Sequence, residues 1–290
     1  MKCQGDYFMK KTLIALAVAA SAVSGMAHAW TNGDFNGSVD IGGSITADDD
    51  RQKWLWAVGS DINGFNNSLK NMTENKTKLT ITVNSNKPIL LGKTNEAFST
   101  PVAGGVGAIP QIAFTGYDGT PVELKNPDGV TDKGLAYMVL PMKNEKGDKL
   151  GSVTVNASYA GAVMVGKPGS VSLRSLYGGS NNVIFNGGLP INVPGSEFLK
   201  GDSAASRTEL FGSLSASGML KQLQGVYPDI TAYDIQNNAN ENMQYTDGTV
   251  VSAAYALGIA DGQTIELTFD KAVTASTKWS APLNVAVTYN

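Results

Sequence analysis

Apolar and polar residues alternate from Asp34 to Thr46, with Phe35, Gly37, Val39, Ile41, Gly43 and Ile45 on one set of positions and Asn36, Ser38, Asp40, Gly42, Ser44 and Thr46 on the other. A period of two places successive side chains on opposite faces of an extended chain, so the pattern predicts a strand with one buried face. Two of the six inward positions are glycine. Glycine weakens a strand inside its own core but suits a place where two backbones come close. The expectation is a strand to be given away, completing the sheet of another copy of the chain.

The same period recurs along the rest of the sequence. Trp54 to Val58 puts Trp54 and Trp56 on one face, as packing at a core edge, and Lys78 to Asn84 alternates Leu79, Ile81 and Val83 with threonine. Pro88 to Leu91, Gln111 to Thr115, Pro121 to Lys125, Gly134 to Leu140 and Gly151 to Tyr159 follow between Gly, Pro and Asn punctuation. Many short strands at this spacing indicate a β-sandwich instead of a β-α-β fold. From Gly161 to Pro194 the pattern loosens, which predicts an insertion displayed on the surface. Asp202-Ser203 is the expected N-cap of a helix over Ala204 to Leu214, with Leu210, Phe211 and Leu214 on one face, and Met219, Leu220 and Leu223 predict a second. Regular alternation returns in Val251 to Ile259, in Ile265 to Phe269, and in the last strand, where Leu283, Val285, Val287 and Tyr289 share a face. Strands with an exposed period-two signal therefore stand at both ends, and an unpaired sheet edge is a hazard that most proteins hide.

Upstream of the first strand, Lys10 and Lys11 precede an apolar run from Leu13 to Val23 and the small-x-small triplet Ala27-His28-Ala29. This is a secretory signal, expected to be removed to leave Trp30 first, with the residues before Met9 forming an upstream extension. The run is too short for a membrane span of ~20 residues, so no membrane insertion is expected. Removal takes away the single cysteine, Cys3, and the single histidine, His28. No thiolate nucleophile, Ser-His-Asp triad or Cys/His metal centre is then available, and neither a metal nor a cofactor is expected. The whole chain carries a net charge of −3, which grows more negative as Lys2, Lys10, Lys11 and Asp6 leave; nucleic acid is a poor partner for such a surface. A glycoside hydrolase built on two carboxylates needs no histidine, but Glu197, Asp202, Glu209, Asp234, Glu241 and Asp247 show no spacing that marks a pair. Asp48-Asp49-Asp50 is expected to be a solvated turn, since it lacks the spacing of a calcium loop.

The blocks DFNGSVDIGGSITADD from Asp34, KLTITVNSNKPILLGKT from Lys78, KGLAYMVLPMKN from Lys133, VNASYAG from Val155, RTELFGSLS from Arg207, YTDGTVVSAAYALGIADGQTIE from Tyr245 and SAPLNVAVTY ending at Tyr289 span nearly all of the chain after the signal. Together they resemble the FaeG/ClpG family of chaperone–usher fimbrial major subunits, which also serve as adhesins of enterotoxigenic enterobacteria. The resemblance implies a mostly β chain, an incomplete immunoglobulin-like β-sandwich or pilin completed by donor-strand exchange, with a surface insertion containing short helices. It implies a division into a removed segment (1–29), a donor-strand extension (30–46) and a sandwich (47–290) whose insertion, about 161–245, bears the receptor site. Phe35, Val39, Ile41 and Ile45 would be donor anchors, with Gly37 and Gly43 over shallow parts of the acceptor groove. Leu283, Val285, Val287 and Tyr289 would line that groove and meet a periplasmic chaperone first. The implied partners are identical subunits in a fibre, the chaperone, an outer-membrane usher and a host glycoprotein or glycolipid, and the implied location is the cell-surface fimbrium, reached through the periplasm. Sugar sites favour aromatic faces and planar amides; within the insertion Arg174, Tyr177, Asn181, Asn182, Phe185 and Asn186 supply these, and Tyr227 and Tyr233 form a second cluster. Phe185 equally suits a strand core. A purely structural pilin, with adhesion on another subunit, and a secreted β-sandwich hydrolase are the alternative readings.

Overall fold

The computed structural model describes residues 49–60, 62–102, 107–129, 134–191 and 199–290. The secretory signal, the Phe35–Ile45 alternation and Glu197 lie outside them. In chain order the elements are β1 (Trp54–Val58), β2 (Lys78–Thr82), β3 (Lys87–Thr94), β4 (Pro110–Gly116), β5 (Pro121–Val122), β6 (Leu135–Lys143), β7 (Lys149–Lys167) and β8 (Ser170–Ser175). Helices α1 (Gly201–Leu210) and α2 (Ala216–Val226) follow, then β9 (Asp234–Ile235), β10 (Val250–Ile259), β11 (Thr264–Phe269) and β12 (Leu283–Tyr289). Among the described residues the fold is mostly β, with two sheets, two short α-helices and no closed barrel. One sheet runs β1-β3-β10-β7-β11-β2, with β6 and β8 also paired to β7 and β9 on β8; the other is β12-β4-β5.

β7 is the spine. Its first half alternates half-buried and buried residues, whereas every residue from Ser158 to Gly166 is buried. The change marks where a second layer begins. Val163 and Val165 face the core shared by the two sheets, while Ala162 and Met164 face a second core under the helices, with Ala204, Ala205, Met219 and Leu223. A strand covered on both faces loses its alternation. For the same reason β10 is buried throughout. Val251, Ala253, Tyr255, Leu257 and Ile259 enter the sandwich core. Small residues alternate with them on the helix-facing side, and a Cβ at Gly258 would stand 2.4 Å from the Phe211 ring.

Two expectations about boundaries are corrected here. The insertion does not begin at Gly161, because residues 161–167 continue a core strand; the excursion leaves after Lys167 and returns at Val250, which lies opposite Gly166. Helix α1 starts at Gly201, with Lys200 and not Asp202-Ser203 at its cap, and ends at Leu210. Its buried face is Gly201, Ala204, Ala205 and Thr208, while Leu210 is exposed. Small residues win that face because α1 lies close on the sheet: a Cβ at Gly201 would meet the Leu173 carbonyl. A polar clamp fastens α2. Gln222 Nε2 donates to the Thr94 carbonyl at 2.7 Å, and its Oε1 accepts from Thr94 Oγ1 at 2.7 Å and Ser252 Oγ at 2.6 Å.

Candidate functional site

Strand β12 is hydrogen-bonded to β4 along one edge, from Leu283 opposite Gly116 to Tyr289 opposite Pro110, and pairs with no other strand among the described residues. Strand β1 pairs only with β3 there. An apolar cavity of about 510 Å³ is lined by Val58, Ile62 and Phe65 together with Leu283 and Val285. It reaches down to core residues of the large sheet, among them Met138, Val153 and Ile265. The consequence appears in the burial of β12. Leu283, Val285, Val287 and Tyr289 are only half-buried, whereas Phe114 and Ile112, opposite Val285 and Val287, are sealed. Val58 at the rim is 71% exposed.

One end of the β1–β12 gap is closed by side chains. Trp56 Nε1 donates to Tyr289 Oη at 2.9 Å, and burial raises the Tyr289 phenol above its usual range. Behind Trp56 lies Phe185, whose ring centroid is 5.5 Å from Trp54, 6.1 Å from Trp56 and 5.3 Å from Tyr255. Phe185 is 0% exposed and adopts φ +62° in a turn. It is a core anchor, neither a strand residue nor an exposed receptor contact, and this corrects its place among the receptor candidates.

The other candidates separate into two groups. Asn181 and Asn186 come together: Asn186 Nδ2 donates to Asn181 Oδ1 at 3.2 Å and to Gln111 Oε1 at 3.0 Å. Gln111 Nε2 donates to the Val183 carbonyl at 3.0 Å, and Asn290 Nδ2 to the Asn181 carbonyl at 2.8 Å. The result is a patch of planar amides built from the 181–186 turns, β4 and the last residue of the chain, with Asn182 exposed beside it. Gln111 and Asn290 carry no local signal for the patch, since their partners within it are 72 to 109 residues away. Arg174 stands apart on β8, half-buried, with its Nε sealed from solvent and unpartnered, and its charge acts on Glu241. Glu241 is buried; its carboxylate accepts from Met243 N at 2.6 Å and Tyr245 Oη at 3.0 Å, and burial raises its pKa. Tyr177 is half-buried with its amide on Ala239 O, Tyr227 Oη donates to Gly248 O, and Tyr233 packs under the helices.

In the acidic run, Asp49 caps a 3₁₀ turn and its hydrogen bonds with Arg51 hold its carboxyl down at about 2. Asp50 is buried, not solvated. Among the described residues no three His, Cys, Asp or Glu side chains gather as metal ligands, and no helix is long and apolar enough to cross a membrane.

Comparison with known proteins gives the groove its context. The family model described as fimbrial, major and minor subunit, matches residues 9–290. The K88 fimbrial proteins AD and AB of Escherichia coli are each 65% identical over 286 residues, covering 97% of this chain and all of the relative. The F41 fimbrial protein of Escherichia coli is 29% identical over 291 residues, with the same coverage. These relatives are components of fimbriae and not enzymes, which sets the hydrolase reading aside. The chain belongs to the family of fimbrial major and minor subunits.

Proposed function

We propose that the chain is exported, loses residues 1–29, and polymerises by donor-strand exchange, its 30–46 extension completing the sandwich of the next subunit. The observation that carries this reading is the outer edge of β12, which pairs with no other strand among the described residues, beside an apolar groove. A strand added there would extend the β12-β4-β5 sheet, as in strand addition generally. The sandwich is then immunoglobulin-like and one strand short. Phe35, Val39, Ile41 and Ile45 fill the groove, contributing roughly 6 to 12 kcal/mol at about 1.5 to 3 each. A periplasmic chaperone occupies the same edge first, with an outer-membrane usher managing the exchange. Fibres are the test. Ile41→Asp puts a charge into an apolar groove and is expected to leave a foldable subunit that does not polymerise; normal fibres from that variant would overturn the reading.

The excursion between Lys167 and Val250 is the part of this fimbrial subunit that binds host glycoconjugates. What supports it is the amide patch of Asn181, Asn186, Gln111 and Asn290, whose donors and acceptors suit sugar hydroxyls. Weak binding per copy suffices, because a fibre presents many copies at once. Purified fibres on a glycan array decide the matter: binding that is lost in Asn181→Ala and Asn186→Ala supports the adhesin, whereas a blank array assigns adhesion to another subunit.

A further inference from the structure

The groove and the amide patch meet at one place, the C-terminal end of β12. Tyr289 Oη accepts from Trp56, whose ring packs on Phe185 of the 181–186 turns. Asn290 Nδ2 donates to the carbonyl of Asn181. The backbone makes the same link through β4: Pro110, opposite Tyr289, accepts from Phe185 N at 2.8 Å, and Ile112, opposite Val287, donates to Asn186 O at 2.9 Å. Turn, β4 and β12 thus lie side by side in one hydrogen-bonded row, and the outer member of that row is the strand with the free edge.

From this arrangement we infer that filling the groove and ordering the receptor turns are thermodynamically coupled, so that a subunit completed by its neighbour binds its receptor more tightly than an empty one. The inference rests on the reading of the groove as the seat of a donor strand. The element with two states is the end of β12. A strand fastened along one edge opens before the rest of a sheet, and each opening of Tyr289 and Asn290 withdraws one contact from the turns directly, through Asn290, and one indirectly, through Trp56. A donor strand fastens the other edge and favours the docked state. The turns favour that state too, through Asn181 and through Phe185 and Trp56. Two partners that prefer the same state of one element assist each other by the same factor, ordinarily 5- to 150-fold.

The experiment is hydrogen exchange on the full-length subunit with and without an excess of a synthetic peptide of residues 34–46. Peptide binding is read independently from protection of the β12 amides. The expected result is that the amides of Phe185 and Gly188 exchange at least about 5-fold more slowly with peptide, while the remote turn amide of Thr77 does not change. In Asn290→Ala, which lies outside the groove lining and removes the direct bond to the Asn181 carbonyl, the peptide still binds but its protection of Phe185 and Gly188 falls. Peptide bound with no change at those amides overturns the coupling and leaves the groove reading standing. No peptide binding at all overturns both.

Discussion

Truncating Phe185 separates a core role from a receptor role. Phe185→Ala removes a fully buried ring that touches Trp54, Trp56 and Tyr255; buried Phe→Ala changes cost about 3 to 5 kcal/mol. For a domain of this size that is a fall in Tm of very roughly 6 to 20 °C, at about 2 to 4 °C per kcal/mol. The backbone adds a second signature. At φ +62° a side chain costs about 1 to 2 kcal/mol that glycine does not, against the roughly 0.5 to 1 kcal/mol by which glycine is ordinarily the worse choice. Phe185→Gly is therefore expected to match or exceed Phe185→Ala in stability, reversing the usual order. Urea unfolding of both variants, alongside glycan binding of the folded fraction, tests this. A Phe185→Ala protein that loses glycan binding while keeping its stability to within about 1 kcal/mol would refute the core assignment and return Phe185 to the receptor surface.

Three further outcomes follow from the packing. Gln222→Leu breaks the clamp of α2 on the sheet and takes from the buried Thr94 and Ser252 hydroxyls their shared acceptor, leaving Ser252 only a 3.4 Å contact with Thr94 Oγ1; a poorly satisfied buried group costs about 1 to 3 kcal/mol, so the unfolding free energy should fall by that amount and the α2 amides should exchange faster. Gly258→Ala would usually strengthen a strand, but its Cβ would meet the Phe211 ring at 2.4 Å and the Lys87 carbonyl at 2.7 Å; overpacking of that kind costs about 1 to 3 kcal/mol in the same assay. Burial raises the Glu241 carboxyl in the folded protein, so the folded state holds its proton to higher pH than the unfolded chain. Its contribution to stability is complete below the unfolded value, about 4.3, and is lost as pH climbs from there through the raised folded value. Glu241→Gln should remove that downward slope from a plot of unfolding free energy against pH, and a difference plot that stays flat would sink the assignment.

The strands with one face in the core were legible in the sequence because alternation survives wherever the second face meets solvent or another strand's polar side. Leu79, Ile81, Ile265, Leu267 and the β12 set are of this kind. What was not legible is what depends on a third layer. Residues 161–167 look like the start of a loose insertion because the helices cover their outer face, and small apolar residues then occupy both faces of β7. The helix face was misplaced for a related reason: Leu210 and Leu214 are the large residues, yet α1 approaches the sheet closely enough that glycine and alanine make the contact. The turns over residues 181–186 defeat local reading altogether. Phe185 sits between Ile184 and Asn186 in what resembles a strand, but its positive φ and its aromatic neighbours come from β1 and β10, about 70 to 130 residues away. The amide patch is likewise a product of topology, since Gln111 and Asn290 have no sequence neighbour that marks them.

The open edge also sets the energetics of the molecule. Four apolar side chains on β12 are only half-buried, and leaving a large apolar side chain half in water forgoes about 0.8 to 1.5 kcal/mol. Across the four positions the deficit is about 3 to 6 kcal/mol, a large share of the 5 to 15 kcal/mol that ordinarily separates a folded domain from its unfolded chain. The exposed Val58 on the facing rim adds to it. In the proposed donor-strand assembly such a subunit is marginal while its groove is empty and gains stability when another chain supplies a strand. Under that proposal the same deficit gives assembly its direction: each addition seals an apolar groove, and opening the link to the next subunit means exposing that groove again.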